Sequence, residues 1–392
     1  MSALHLAVAL DGAGWHPAAW REPDARPREL LTAAYWADQV VEAERGLLDF
    51  VTIEDSLGPQ ADRLAAPTER TDRVLGRLDA VLVAARIAPL TTHIGLIPTA
   101  TVTHTEPFHI SKAIATLDYI STGRAGWRAQ VSARRNEAAH FGRRDIPAFT
   151  LADRDEPPVR ALIGDLFDEA ADYVEVVRRL WDSWEDDAEI RDADTGRFVD
   201  REKLHYIDFE GRWFNVRGPS ITPRPPQGQP LVTALVHNDI PYRFAARSAD
   251  LVYITPHDAA DATGIIGELR AAEAGLRRDQ PLHIFADLVV FLGADAAARK
   301  ARLDEQDGAE YESDALIFTG TATELADLLQ EWQRAGLSGF RLRPGTIPHD
   351  LQAIGRELVP ELQRRGAFRT SYDEGSLRER FGLLRPANRY VA

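Results

Sequence analysis

Short apolar runs alternate with longer amphipathic ones along the whole chain. Buried strands are predicted near Leu4 to Leu10, Leu48 to Ile53, His93 to Pro98, Ala125 to Ser132, Pro230 to Val236, Leu251 to Ile254, Leu282 to Phe291 and Gly339 to Leu342. After each comes a stretch with apolar residues at helical spacing: Glu29 to Arg45, Asp72 to Ile87, Phe108 to Ile120, Ala161 to Trp184, Pro241 to Ser248, Ala259 to Ala274, Ala322 to Arg334 and Leu351 to Arg364. In the fourth of these, Ile163, Leu166, Phe167, Ala170, Tyr173, Val174, Val177, Leu180, Trp181 and Trp184 form one continuous stripe opposite a charged side. Eight strand-helix units in alternation predict an α/β fold, a closed parallel (β/α)8 TIM barrel in preference to an open doubly wound sheet.

The rhythm breaks in three places. Residues 133–160 follow the fourth strand and 293–320 the seventh, so both start at the C-terminal ends of strands, where such barrels hold ligands. Both are expected to form lids. Residues 185–229, which carry ITPRPPQGQP, are expected to wrap the barrel wall as an extended segment. The tail, residues 366–392, has too few apolar positions for its own core and is expected to pack on a neighbour such as a second subunit. The chain is read as one barrel domain over residues 1–392.

Composition narrows the function. With 44% hydrophobic residues among 392, a large core is available. The 61 acidic residues outnumber the 46 basic ones and no basic stripe interleaves with aromatics, which argues against nucleic acid and anionic membrane as partners. No cysteine is present, which excludes disulfides, thiolate catalysis and cysteine metal sites. No histidine pair has metal-ligand spacing, and the HND run at His237 to Asp239 matches a turn or helix cap, so no metal is assigned. The opening MSALHLAVALDGAG lacks a basic region and a cleavage site, and no run is long enough to span a membrane; a cytoplasmic protein is expected.

Candidate chemistry gathers at the strand ends. The third strand runs into Thr99, Ala100, Thr101 and Thr103, small residues that permit close approach of a ligand or cap the helix that follows. His16 beside Trp15, His104 in THTEP and His140 in AAHFG lie in loops on the ligand side, and histidine titrates near neutral pH. Each equally suits a hydrogen-bonded loop histidine.

The runs HPAAWREP, AERGLLDFVTIED, THTEPFHISKAIATLDYISTGRAGW, EAADYVEVVRRLWDSW, FAARSADLVYI, FTGTATELADLLQEWQRAGLSGFRLRP and LRPANRY occur in order over nearly the whole chain. In them the chain resembles the bacterial luciferase-like flavin monooxygenases, in particular the group of nitrilotriacetate and dibenzothiophene-sulfone monooxygenases. The resemblance implies a barrel enzyme that takes reduced FMN from a separate flavin reductase and uses oxygen to oxygenate a small organic substrate. It also implies a homodimer or tetramer. Asp55, at the end of the second strand, would lie near the flavin ring, with Glu54 pointing away. Thr99, Ala100 and Thr101 would meet the ring edge, and His16 and His104 are the catalytic candidates.

The chain also departs from the family pattern. Arg128 stands where asparagine is expected and Val131 where threonine is, while Ser132 is retained. Leu166 and Phe167 replace an arginine-tyrosine pair for the cofactor phosphate, and His237 and Asn238 replace a glycine-serine turn. Backbone amides at the start of the Pro241 helix, with His237, Asn238 or Arg128, are the expected replacements. Two alternatives stay open: a deazaflavin-dependent oxidoreductase, and a flavin-free relative that binds a small molecule or assembles with a partner.

Overall fold

Eight strands close into a ring because each has an apolar face for the helices outside and a second face for the barrel interior. They are β1 (His5–Leu10), β2 (Phe50–Ile53), β3 (Gly95–Thr101), β4 (Gly126–Gln130), β5 (Leu231–Leu235), β6 (Leu251–Ile254), β7 (His283–Leu292) and β8 (Gly339–Pro344). Every strand pairs in parallel with its successor, and β8 pairs in parallel with β1, so no barrel edge is left open. This is the expected TIM barrel. The computed structural model describes residues 4–60, 69–276, 278 and 280–391.

The outer helices are α1 (Ala33–Arg45), α2 (Ala80–Ile87), α3 (Pro107–Ile120), α4 (Pro157–Asp182), α5 (Asp239–Ser248), α6 (Ala259–Glu273) and α7 (Ala322–Arg334). An eighth helical stretch follows β8 as His349–Ala353, a π-helical turn Ile354–Leu358 and Val359–Arg364. Helices α1 and α2 start later than their apolar pattern, because Thr32 and Asp79 accept amide hydrogen bonds there as N-caps. The stripe on α4 does what its periodicity predicts: Leu166, Tyr173, Val174, Val177, Leu180 and Trp181 are buried.

Inside the barrel the period of two sorts chemistry into layers. Ala7, Phe50, Ile97, Leu231, Leu251, Tyr253 and Phe285 form an apolar layer toward the N-terminal ends of the strands. One or two pleats further on, the same faces carry Thr52, Glu54, Thr99, Arg128, Asp287, Arg341 and Arg343, all buried. A charged layer therefore sits directly above the apolar one.

The three insertions are more structured than their composition suggested. Residues 133–160 include a short helix, Arg135–Phe141. The 185–229 segment folds two small hairpins, Glu189–Asp192 with Arg197–Val199 and Phe209–Glu210 with Asn215–Val216. The segment after β7 forms a helix, Ala296–Asp307, and a strand, Leu316–Gly320, that extends β7 in parallel outside the ring.

The tail packs on its own barrel instead of needing a neighbour. Leu377, Phe381 and Leu383 complete the apolar layer and stop the N-terminal end, while Tyr372 donates to the Leu48 carbonyl at 2.7 Å. Phe381 stacks near Phe50 and Phe285, each ring centre 6.0 Å away, which explains why few apolar residues suffice. Among the described residues no helix is long and apolar enough to cross a membrane.

Candidate active site

A cavity of about 500 Å³ opens at the C-terminal ends of the strands, within the ~300–1,000 Å³ typical of ligand sites. Its floor is the charged layer. Arg128, on β4, donates from Nη2 to Glu54 at 2.5 Å and Gln130 at 2.8 Å, and from Nε to Thr99 Oγ1 at 2.8 Å. Arg341 and Arg343 are two residues apart on β8 and so point the same way, both onto Asp287. Arg343 continues to Asp314 at 2.6 Å, and Arg341 reaches Glu54 at 3.5 Å. Three cations and three carboxylates thus form one chain across the barrel.

Burial sets the electrostatics. Burial alone would raise the Asp287 carboxyl, but Arg341 and Arg343 outweigh it and hold the group below its ordinary value. Asp314 is drawn down to about 2, Arg343 again overcoming the effect of burial. Burial pulls Arg128 down, and the Glu54 charge opposes this. Aromatic faces add to the fixing: Arg341 lies 3.8 Å from the centre of the Tyr253 ring and Arg343 4.5 Å from that of Trp15.

Of the residues singled out by sequence, Asp55, Arg128, Ser132 and His237 line this cavity. The Asp55 oxygens accept from the amides of Ser56 at 2.7 Å and Ala80 at 2.9 Å, so the carboxylate ties the end of β2 to the start of α2. Burial raises Asp55, against those two amides. Ser132 Oγ donates to Glu137 at 2.6 Å. His237 is half-exposed, 3.2 Å from Thr255 Oγ1; burial lowers it and the nearby Asp314 opposes the shift.

The others, His140 and Thr103 among them, lie outside the cavity wall. Thr99 is fully buried and accepts from Arg128, Ala100 gives its carbonyl to the Trp127 indole at 3.3 Å, and Thr101 is 3.5 Å from the Gln130 amide. Asn238 caps α5 through the Ile240 amide. His16 accepts from the Ala18 amide at Nδ1, which leaves Nε2–H to donate to Asp304 at 3.0 Å; burial lowers it. It borders a smaller cavity, about 150 Å³, with Asp11, Trp15 and Trp20. His104 sits at φ 71° and stacks on Phe141 at 5.4 Å, with Nε2 buried and without a partner; burial lowers it too.

Glu54 enters the barrel, contrary to the expectation that it points away. Strand alternation holds, but its phase puts Phe50, Thr52 and Glu54 inside, and Asp55 lies just beyond the strand. Sequence reading also missed Asp287, Arg341, Arg343 and Asp314. A signal existed: a lone aspartate in the apolar run HIFADLVVFL and the alternation FRLR both require buried partners.

Above the floor the walls divide. Val131, Ala133, Phe167, Ala234, Leu235 and Phe244 are apolar, the two phenylalanine rings lying 5.6 Å apart. Arg77 is locked on Asp11 at 2.7 Å. Arg134 is held loosely, its Nε 3.8 Å from Glu137, whose other oxygen already serves Ser132. Among the described lining cations, it alone lacks an ion pair of hydrogen-bond length.

A barrel with a deep, part-apolar, part-cationic mouth is an enzyme scaffold, and the comparisons define its family. Residues 13–315 match the luciferase-like monooxygenase family model. The chain is 30% identical to the N-acetyl-S-(2-succino)cysteine monooxygenase of Bacillus subtilis strain 168, covering 99% of this chain and 98% of that one. It is 29% identical to nitrilotriacetate monooxygenase component A of Aminobacter aminovorans, covering 98% and 97%. Its fold superposes on the crystal structure of a long-chain alkane monooxygenase with a TM-score of 0.82 at 22% identity, over 97% of this chain and 96% of the other.

The chain belongs to the luciferase-like monooxygenase family. It is a flavin-dependent monooxygenase, as the sequence motifs led one to expect.

Proposed function

We propose that the chain binds reduced FMN, delivered by a separate flavin reductase, in the 500 Å³ cavity and oxygenates a small organic substrate there. The observation that carries this reading is Arg134: a guanidinium on the cavity wall, next to Ser132, without a close ion pair. It replaces the phosphate donors that the family motif would place at Leu166, Phe167, His237 and Asn238. The residues present suit the group, with apolar walls for a flat ring system and one available cation for a phosphate. Bound there, reduced FMN supplies the electrons that activate oxygen for transfer of one oxygen atom to the substrate.

The chain's own residues do the rest. Arg134 binds the phosphate, and Phe167, Phe244, Val131 and Leu235 exclude water from the ring. The Glu54–Arg128–Gln130 group is preorganised, because every member is buried or part-buried and hydrogen-bonded, and it fixes the floor against which ligand settles. His237, which borders the cavity, is the histidine that meets ligand; His16 and His104 position the loops they sit in. Neutral overall, the floor offers no free charge to a polyanionic substrate, so selectivity comes from shape and from the hydrogen bonds of Gln130 and His237. A homodimer or tetramer in the cytoplasm is the assembly this reading carries forward.

An anaerobic titration with reduced FMN tests it, followed by oxygenation assays with an added reductase. Micromolar binding and reductase-dependent oxygen incorporation are expected. Failure to bind any reduced flavin would overturn the proposal.

A further inference from the structure

The N-terminal end of the barrel holds a concavity of about 770 Å³ that the flavin reading does not use. It is bounded by the first residues of β1 and β7, His5 and His283, by the end of α7 at Arg334, by Ser338 before β8, and by Arg380 and Phe381 of the tail. It lies a barrel's length from the other cavity: β1 alone separates His5 from Asp11 by six residues, or ~20 Å of strand.

Its chemistry differs from that of the molecule around it. Acidic residues outnumber basic ones 61 to 46 in the chain, yet among the described residues the wall carries two arginines and two histidines and no carboxylate. Arg334 alone would be unremarked, since a cation suits the end of a helix. Arg380 is different. Its Nε and Nη1 are buried and have no hydrogen-bond partner, and the Tyr372 ring lies 5.6 Å from the guanidinium carbon. Of the nearby carboxylates, Asp49 serves His5, the Leu6 amide and Arg369, Glu379 serves Ser376, and Asp373 acts on Arg380 through its charge.

Those two donors are closed off from solvent, so an anion would act on the part of the guanidinium that faces the concavity and favour its charge there. The other donors are in place. Ser338 Oγ accepts from the Ile284 amide and keeps its own proton to donate, and His5, whose Nδ1–H meets Asp49, offers an Nε2–H only as the imidazolium.

From this geometry we propose a second ligand site at the N-terminal end of the barrel, which takes a small dianionic oxyanion of the phosphate class on Arg380, Arg334, His5 and Ser338. Free phosphate and the phosphate group of a larger monoester share that chemistry. Bound there, the anion ties the tail to α7 and to the strand starts, and so couples ligand concentration to closure of the barrel floor.

The test is amide hydrogen exchange of the full chain with inorganic phosphate and, in a second arm, with glycerol 3-phosphate. Protection of residues 333–338 and 376–383 at millimolar phosphate is expected, with affinity at least about tenfold weaker in Arg380→Gln. Protection by the monoester alone assigns the site to larger phosphates. Arg334→Gln, at an exposed helix end, serves as the second variant should Arg380→Gln fold poorly, and is expected to weaken binding as well. The readout is local, so phosphate bound beside Arg134 at the far end does not register in it. Absence of protection with both ligands, or equal protection in both variants, would overturn the proposal.

Discussion

Asp287 and Arg341 are register partners across β7 and β8, and the carboxylate receives the guanidinium through two nitrogens, at 2.8 Å from Nε and 2.5 Å from Nη2. Arg343, one pleat further, adds a second guanidinium to the same carboxylate. Both arginines and the aspartate are fully or almost fully buried, so none can be removed without leaving charge inside the barrel.

Asp287→Asn is therefore expected to destabilise the chain by about 3–5 kcal/mol at neutral pH, the cost of breaking a buried pair from one side. The pH dependence follows from the depressed carboxyl. Its contribution is present above the unfolded value, near ~4, and is lost as pH falls through the lower folded value. Urea unfolding across pH 2–7, taken as an approximate range, should show the gap between wild type and Asp287→Asn closing on acidification. A gap that stays constant would remove the aspartate from this role.

Arg134→Ala separates phosphate recognition from ring recognition. If Arg134 holds the phosphate, losing a charge-assisted hydrogen bond worth about 1.5–3 kcal/mol weakens reduced FMN by roughly 10–100-fold. Reduced riboflavin, which lacks the phosphate, should bind both proteins equally. Parallel anaerobic titrations decide the matter. Equal losses for both flavins would mean that the variant disturbed the cavity as a whole.

How far the sequence carried this picture depends on what each signal reports. Periodicity and strand order are local, and they located all eight barrel strands; seven of the ten positions in the α4 stripe are buried. The phase of β2 was misjudged because Asp55 was placed at the ligand and alternation then turned its neighbour Glu54 away, whereas Glu54 is the residue that enters the barrel. Partners were harder still, since Asp287 and Arg341 are separated by 54 positions and only the barrel's register joins them. His16 illustrates the same limit: its partner, Asp304, comes from a helix 288 positions away.

That contact makes a prediction about His16. With Nδ1 on the Ala18 amide and Nε2 on Asp304, the ring fastens the loop after β1 to the Ala296–Asp307 helix. His16→Ala is expected to lower stability by about 1–3 kcal/mol through the lost bonds and packing. Turnover per folded, flavin-loaded molecule should change less than twofold, roughly the scatter expected of a group remote from chemistry. A large fall in kcat at saturating substrate, with stability intact, would instead make His16 catalytic.

The tail offers the last test, because sequence alone assigned it to a neighbour. Phe381 is almost fully buried, its ring 4.7 Å from that of His5 and 6.0 Å from Phe50 and Phe285. Removing it empties the stopper of the barrel, and Phe381→Ala should cost about 3–5 kcal/mol. Phe381→Leu keeps much of the volume and should cost under about 1.5 kcal/mol. Because these contacts lie within one chain, both costs should be independent of protein concentration in denaturant titrations. A cost that vanished on dilution would mean that the tail's contacts are made between chains after all.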